Sequence, residues 1–138
     1  MIRDIFKKGF EEAINDYEVG LILIKSEKYN CAVFHFQQAT EKILKAALYF
    51  YDQQPWGHSS LELIKHIVKR GKKEYKKFLS YAREIDTHYT TTRYPDTLPG
   101  IGPKDAYDKK IAENIKEKVS EIIEFIQSDF ENEVGGGI

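Results

Sequence analysis

The residues able to do chemistry in this 138-residue chain are few and scattered. Its four histidines, His35, His58, His66 and His88, form no His-Glu-x-x-His set, and no Cys-x-x-Cys pair exists to join them. His58 and His66 stand about two helical turns apart without partners for an ion, so they read as surface or capping residues. Neither a metal site nor a cofactor is expected. Ser59 and Ser60 beside His58 put hydroxyls next to a base, but a serine at a helix start already has a capping role, and no third, orienting group follows. Cys31 reads as a partly buried, inert thiol near a helix start. Gly100-Ile101-Gly102 lacks a preceding strand and is loop punctuation rather than a dinucleotide loop. The dense basic run Lys65, Lys69, Arg70, Lys72, Lys73, Lys76 and Lys77 reads as a solvated face, and Tyr75 within it suits either the core or stacking on a base. Arg93 stands out, because aromatic Tyr94 and Pro95 bound its turn and can hold its guanidinium in place. A held guanidinium grips a carboxylate or a phosphate with two parallel donors. Both alternatives stay open: an ion pair to Asp16 or Glu41 that pins the loop, or a phosphate-binding role.

These side chains need elements to position them, and hydrophobic spacing supplies helices. From Asn30 to Asp52, Val33, Phe34, Ala39, Ile43, Leu44, Ala46, Ala47 and Leu48 recur mostly at three- and four-residue intervals. Glu41 and Lys45 add a favourable acid-before-base pair, and Pro55-Trp56-Gly57 ends the segment. A first helix over Asp4–Ser26 carries Ile5, Phe6, Phe10, Ala13, Ile14, Tyr17, Leu21 and Ile24, with Gly20 as a modest interruption. The short connection between the two predicts an antiparallel hairpin. A third helix opens at Ser59 or Ser60, where Ser59 and Glu62 have capping-box spacing, and ends at Gly71. A fourth spans about Glu74 to His88. Thr90 to Pro103, with its prolines and glycines, predicts a long structured loop, and Lys104 to about Phe130 the last helix. The expected fold is all-α: a five-helix up-and-down bundle in a single domain over residues 1–138, with 130–138 a frayed tail.

Composition narrows the function classes. The chain is 41% hydrophobic and 31% charged, as in ordinary globular proteins. Lys+Arg 21 against Asp+Glu 22 leaves a net charge of −1, so any nucleic-acid contact depends on a local patch rather than a global field. One cysteine makes no internal disulfide, the charged N-terminus has no signal-peptide core, and no stretch is apolar for long enough to span a bilayer. A cytoplasmic protein without membrane attachment is expected.

Three stretches taken together carry a resemblance. FHFQQATEKILKAAL (34–48), GHSSLELI (57–64) and AREIDTHYTTTRYPDTLPG (82–100) are similar, in order, to the QQAAEKALKA helix, the GHsL helix start and the TRYPd block of the HEPN domain family, with Asp16 where the family carries an acid. These helical domains are named for their occurrence in higher eukaryotes and prokaryotes and for nucleotide binding. The resemblance implies a bundle that dimerises. In some relatives it works beside a small nucleotidyltransferase in toxin–antitoxin-like pairs. Others are metal-independent ribonucleases whose motif is Arg, four to six residues, then His.

Arg83 and His88 match that spacing, although Glu84 follows Arg83 where the motif has Asn, Asp or His. Five positions along a regular helix also turn a side chain by roughly 140°, so the two converge only if the helix ends between them. The TRYP arginine is Arg93. The resulting expectation is a homodimeric module binding a nucleotide or RNA phosphate through Arg93, Tyr94, Lys45, His88 and Asp96, partnered by a nucleotidyltransferase. The alternative is a ribonuclease with His88 as general acid/base and Arg83 steadying phosphate charge. A protein-interaction scaffold is the third reading.

Overall fold

The computed structural model describes residues 2–52, 57–94 and 100–134. Helix α1 (Ile2–Lys25) and helix α2 (Tyr29–Asp52) form the expected hairpin. Between them Lys28 N–H bonds the Leu23 carbonyl at 2.9 Å and Glu27 N–H that of Ile24 at 3.0 Å, the paired bonds of a Schellman ending. The position that such an ending reserves for glycine is filled by Glu27, at φ 58°, a left-handed setting that costs an L-residue about 1 kcal/mol.

Packing along the hairpin explains Gly20. A Cβ there would lie 2.4–2.8 Å from ring atoms of the fully buried Phe36, and one at Gly9 would lie 2.7 Å from Cβ of Ala46. The glycines are the seam along which α1 and α2 touch. Phe36 and Ala32 join the core from α2, whereas Phe34 is only partly buried and faces the site described below.

Helix α3 (Ser60–Lys69) starts as the sequence predicts: Ser59 Oγ accepts from Glu62 N–H at 3.2 Å, and Gly71 beyond its end takes φ 100°. The expected fourth helix is divided. Lys73–Phe78 is a 3-10 segment, followed by α4 (Leu79–Asp86) and a single turn, α5 (His88–Thr91). The last helix is divided too, into α6 (Pro103–Ala106) and α7 (Lys109–Glu133), because Tyr107 and Asp108 are extended and Asp108 caps α7 through Ile111 N–H at 2.9 Å. The long loop is correspondingly shorter than expected, since Thr90 and Thr91 complete α5. Helix α7 runs to Glu133, and most of the tail expected to fray lies beyond it, with residues 135–138 outside the described residues. Among the described residues there is no strand. The all-α bundle holds, with more helical pieces than the five expected.

Core side chains from α1, α2, α3, α4 and α7 meet around α2. One polar knot fastens α7 to the rest. Tyr51 and Tyr75 hydroxyls both donate to Asp129 Oδ2, the latter at 2.9 Å, and Lys72 Nζ lies 2.8 Å from Oδ1. Burial pushes both tyrosine pKa values well above the ordinary range, reinforced by Asp129. Against the burial that would lower it, hydrogen bonds donated to Asp129, Glu133 and Glu74 hold the Lys72 ammonium pKa above its usual value. Tyr75 and Lys72 are therefore structural, and the basic run is less uniform than it reads: Lys65 pairs with Glu62, and Lys77 lies 4.0 Å from the Phe125 ring centre. Cys31 is exposed rather than partly buried.

Candidate functional site

Phe34, Gln38, Glu41 and Lys45 follow one another at four-, three- and four-residue steps, so they line one stripe of α2. Glu41 is 5% exposed, a carboxylate taken out of water, and its partners account for that. Oε1 receives Lys45 Nζ at 3.0 Å and His58 Nδ1 at 2.5 Å; Oε2 receives Gln37 Nε2 at 3.4 Å and Gln38 Nε2 at 3.5 Å. A carboxylate has no hydrogen to give, so Nδ1 of His58 carries a proton, and among the described residues Nε2 has no hydrogen-bond partner. The His58 side chain is 67% exposed.

Two neighbours hold His58 in place. The chain after it is tied down by Asp86 at the end of α4, whose carboxylate takes Ser60 N–H at 2.7 Å, Leu61 N–H at 3.0 Å and Ser59 Oγ–H at 2.8 Å. An acid at the positive end of α3 satisfies amides that the helix leaves open. The His58 ring also stacks on Tyr89 of α5, with centroids 5.8 Å apart and planes 21° apart.

Tyr89 leads to Arg93. Arg93 Nε and Nη2 donate to the Tyr89 carbonyl at 3.1 and 2.9 Å, closing the C-terminal end of α5. The guanidinium carbon lies 4.7 Å from the Phe34 ring centre, 4.8 Å from that of Tyr89 and 4.9 Å from that of Tyr94. Three rings and one carbonyl therefore fix a cation that is itself exposed. Among the described residues two of its five N–H donors are spent and no carboxylate pairs with it. Beneath it, Asn30 Nδ2 donates to the Thr92 carbonyl at 3.1 Å and Thr92 Oγ to that of His88 at 2.9 Å, seating the turn.

Arg93, Tyr94, Lys45 and Glu41 thus lie on one continuous surface, joined through His58 and Tyr89. The other expected site residues fall elsewhere. Asp16 binds His35 Nδ1 at 3.0 Å and Lys42 Nζ at 2.6 Å, and Glu41 binds His58 and Lys45, so neither takes up Arg93. The expected pin between Arg93 and one of these acids is replaced by the Tyr89 carbonyl and the three rings. His88 turns its Nδ1 to the Tyr107 hydroxyl at 2.6 Å, which also meets Thr91 Oγ at 2.7 Å. Burial lowers the His88 pKa, with Glu84 opposing. Arg83 is exposed, no hydrogen bond or ion pair joins it to His88 among the described residues, and Thr87 between them keeps αR dihedrals (φ −63°, ψ −17°). The helix ends between the pair, at Asp86, although the single linking residue stays in the αR region. Asp96 lies outside the described residues.

Sequence reasoning missed His58, Tyr89, Phe34 and Asp86 as site-forming residues. All four fall inside the three resembling stretches, which was the available signal. A groove of about 800 Å³ lies between α1 and α7, over Phe6, Phe10 and Phe130. Its charged lining, Arg3, Asp4, Lys7 and Glu131, includes no histidine, and none of the three resembling stretches reaches it.

The HEPN domain family profile matches residues 6–129. The chain belongs to the HEPN domain family. A relative from Methanocaldococcus jannaschii, named "Putative toxin MJ1304", is 27% identical over 139 residues, covering 95% of this chain and 90% of its own. The crystal structure of TT1696 from Thermus thermophilus superposes with a TM-score of 0.83 at 26% identity, over 93% of this chain and 98% of that one. ST0689, described as an archaeal HEPN homologue, gives 0.75 at 24% identity over 90% and 96%, which supports the fold. Among the described residues of this HEPN domain, no helix is long and apolar enough to cross a membrane.

Proposed function

We propose that this HEPN domain binds the phosphate of a nucleotide or RNA at the Arg93 surface, as a toxin-like homodimer paired with a nucleotidyltransferase in the cytoplasm. The observation that carries the binding is the state of Arg93: an exposed guanidinium held by the Tyr89 carbonyl and three rings, with donors to spare and no carboxylate partner among the described residues. Holding a cation ready lowers the ordering cost of gripping an anion. Lys45, 3.0 Å from Glu41 on the same stripe, adds positive charge, and Tyr94, 48% exposed, offers a face to a base. The relative named as a toxin and the family's operon pairings support the partner.

Calorimetric and thermal-shift titration with ATP, GTP and a short single-stranded RNA tests this. Saturable, salt-sensitive binding that weakens roughly tenfold or more in Arg93→Ala is expected, the loss of a charge-assisted bidentate contact. Binding that is unchanged in Arg93→Ala would remove the reading.

A further inference from the structure

We propose that the cleft between the 3-10 segment, α4 and α7 binds a linear aliphatic polyamine, its methylenes on the aromatic wall and its ammonium groups at Glu121 and Glu124. The site shares no residue with the Arg93 surface, so the inference stands apart from the phosphate-binding reading.

The cleft has a volume of about 440 Å³, and Phe78, Tyr81 and Phe125 form its aromatic wall. Other rings hold Phe125 in place: it meets Tyr75 and Phe78 at centroid distances of 5.1 and 5.3 Å, with planes 84° and 68° apart. The chain itself shows what these rings accept. Lys77 Nζ lies 4.0 Å from the Phe125 ring centre and 5.3 Å from that of Phe78, the arrangement of an alkylammonium drawn to an aromatic face. Glu121 and Glu124 line the same cleft, yet among the described residues neither is in an ion pair. Glu121 accepts the Tyr81 hydroxyl at 2.8 Å and Glu124 the Ser120 hydroxyl at 3.5 Å, neutral donors that leave both charges uncompensated. Lys118, 5.5 Å from the Tyr81 ring centre, is taken up by Glu84 at 2.7 Å.

Charge and spacing select the ligand. Glu121 and Glu124 stand three apart on α7, which sets their Cβ atoms about 5–6 Å apart, near the span of two ammonium groups joined by roughly four methylenes. The methylenes are apolar and cover the rings while the charged ends stay at the acidic rim, as lysine stems do on protein surfaces. A metal ion would make no use of the rings, and among the described residues no group of three His, Cys, Asp or Glu could hold one. The two acids repel an anion. Lys77 is then a built-in competitor: its exposed ammonium sits on the ring that an incoming amine needs, and its flexible stem lets it move aside.

The experiment is calorimetric titration of the purified chain with spermidine, with magnesium chloride and a lysine-rich peptide as comparison ligands. Saturable binding of spermidine, tighter than that of magnesium, is expected. Glu124→Gln, on an exposed side chain, should weaken it about fivefold, the upper range for one surface ion pair, and Glu121→Gln by a similar factor. Lys77→Ala should tighten it about threefold by vacating the Phe125 ring. Lys76→Ala, which removes an equally exposed charge outside the cleft, should leave it within about 1.5-fold. Absence of spermidine binding overturns the proposal, as does an affinity unchanged in both glutamate variants or lowered in Lys77→Ala. Magnesium that binds as tightly as spermidine also overturns it, because the rings would then contribute nothing. A peptide that binds where free spermidine does not makes the cleft a protein-docking surface and overturns the polyamine assignment.

Discussion

Two shielded carboxylates in this bundle have the same kind of lysine partner and opposite fates. Asp129 and Glu41 side chains are 10% and 6% exposed, with Lys72 at 2.8 Å and Lys45 at 3.0 Å. Around Asp129 the remaining partners are themselves enclosed: Tyr75 is 1% exposed, and Tyr51 spends its hydroxyl on the same oxygen. Around Glu41 the network runs outward and ends on an imidazole that faces water, next to an exposed cation. Burying a carboxylate demands donors in both cases. A network that consumes its donors internally joins helices, whereas one that ends on an exposed imidazole has capacity left for a ligand.

That contrast can be broken at either end. The largest effect on stability is expected from Asp129→Ala, which leaves Lys72 and two tyrosines without their shared acceptor. A loss of about 3 kcal/mol in urea unfolding is expected, seen as a fall of roughly 10 °C in Tm, with nucleotide binding intact in the folded protein. Asp86→Ala comes next, at about 2 kcal/mol, since three donors at the start of α3 lose their acceptor. Because that cap adjoins His58, its loss should weaken ligand binding as well, which the Asp129 change should not. Arg93→Ala is the reverse case: less than about 0.5 kcal/mol in stability for an exposed side chain, with binding reduced. The smallest effect concerns pH. Burial lowers the His88 pKa in the fold, so on acidification below 6.5 the unfolded chain takes the proton first, and the stability contributed by neutral His88 drains away. The Tm gap between the native chain and His88→Gln should therefore narrow as pH falls from 7.5 towards 5.5.

The helices and their caps were legible because their signals are local. Ser59 and Glu62 sit three apart, Glu41 and Lys45 four apart, and the apolar period of α2 can be read directly from spacing. The partner of Arg93 was not legible. Asp16 and Glu41 were reasonable acids to offer it, but His35 and Lys42 satisfy the first, and His58, 17 residues on from Glu41, helps to satisfy the second. Those pairings depend on how α2 crosses its neighbours, which periodicity does not specify. The break at Tyr107 escaped for a similar reason, since it serves a bond back to His88, 19 residues earlier. Gly20 read as a weakness in a helix because the ring it admits belongs to a different helix.

The glycine seam also bears on the order of events when the chain folds. Helices α1 and α2 are joined by three residues and meet where Gly9 and Gly20 of α1 present no side chain, so their docking closes almost no loop. The Asp129 knot instead recruits Tyr51 and Tyr75 from 78 and 54 residues away. Contacts near in sequence form early, and those made late govern how long the native state survives. Crowding the seam should therefore slow folding, whereas loosening the knot should shorten the lifetime of a protein that folds at its normal speed.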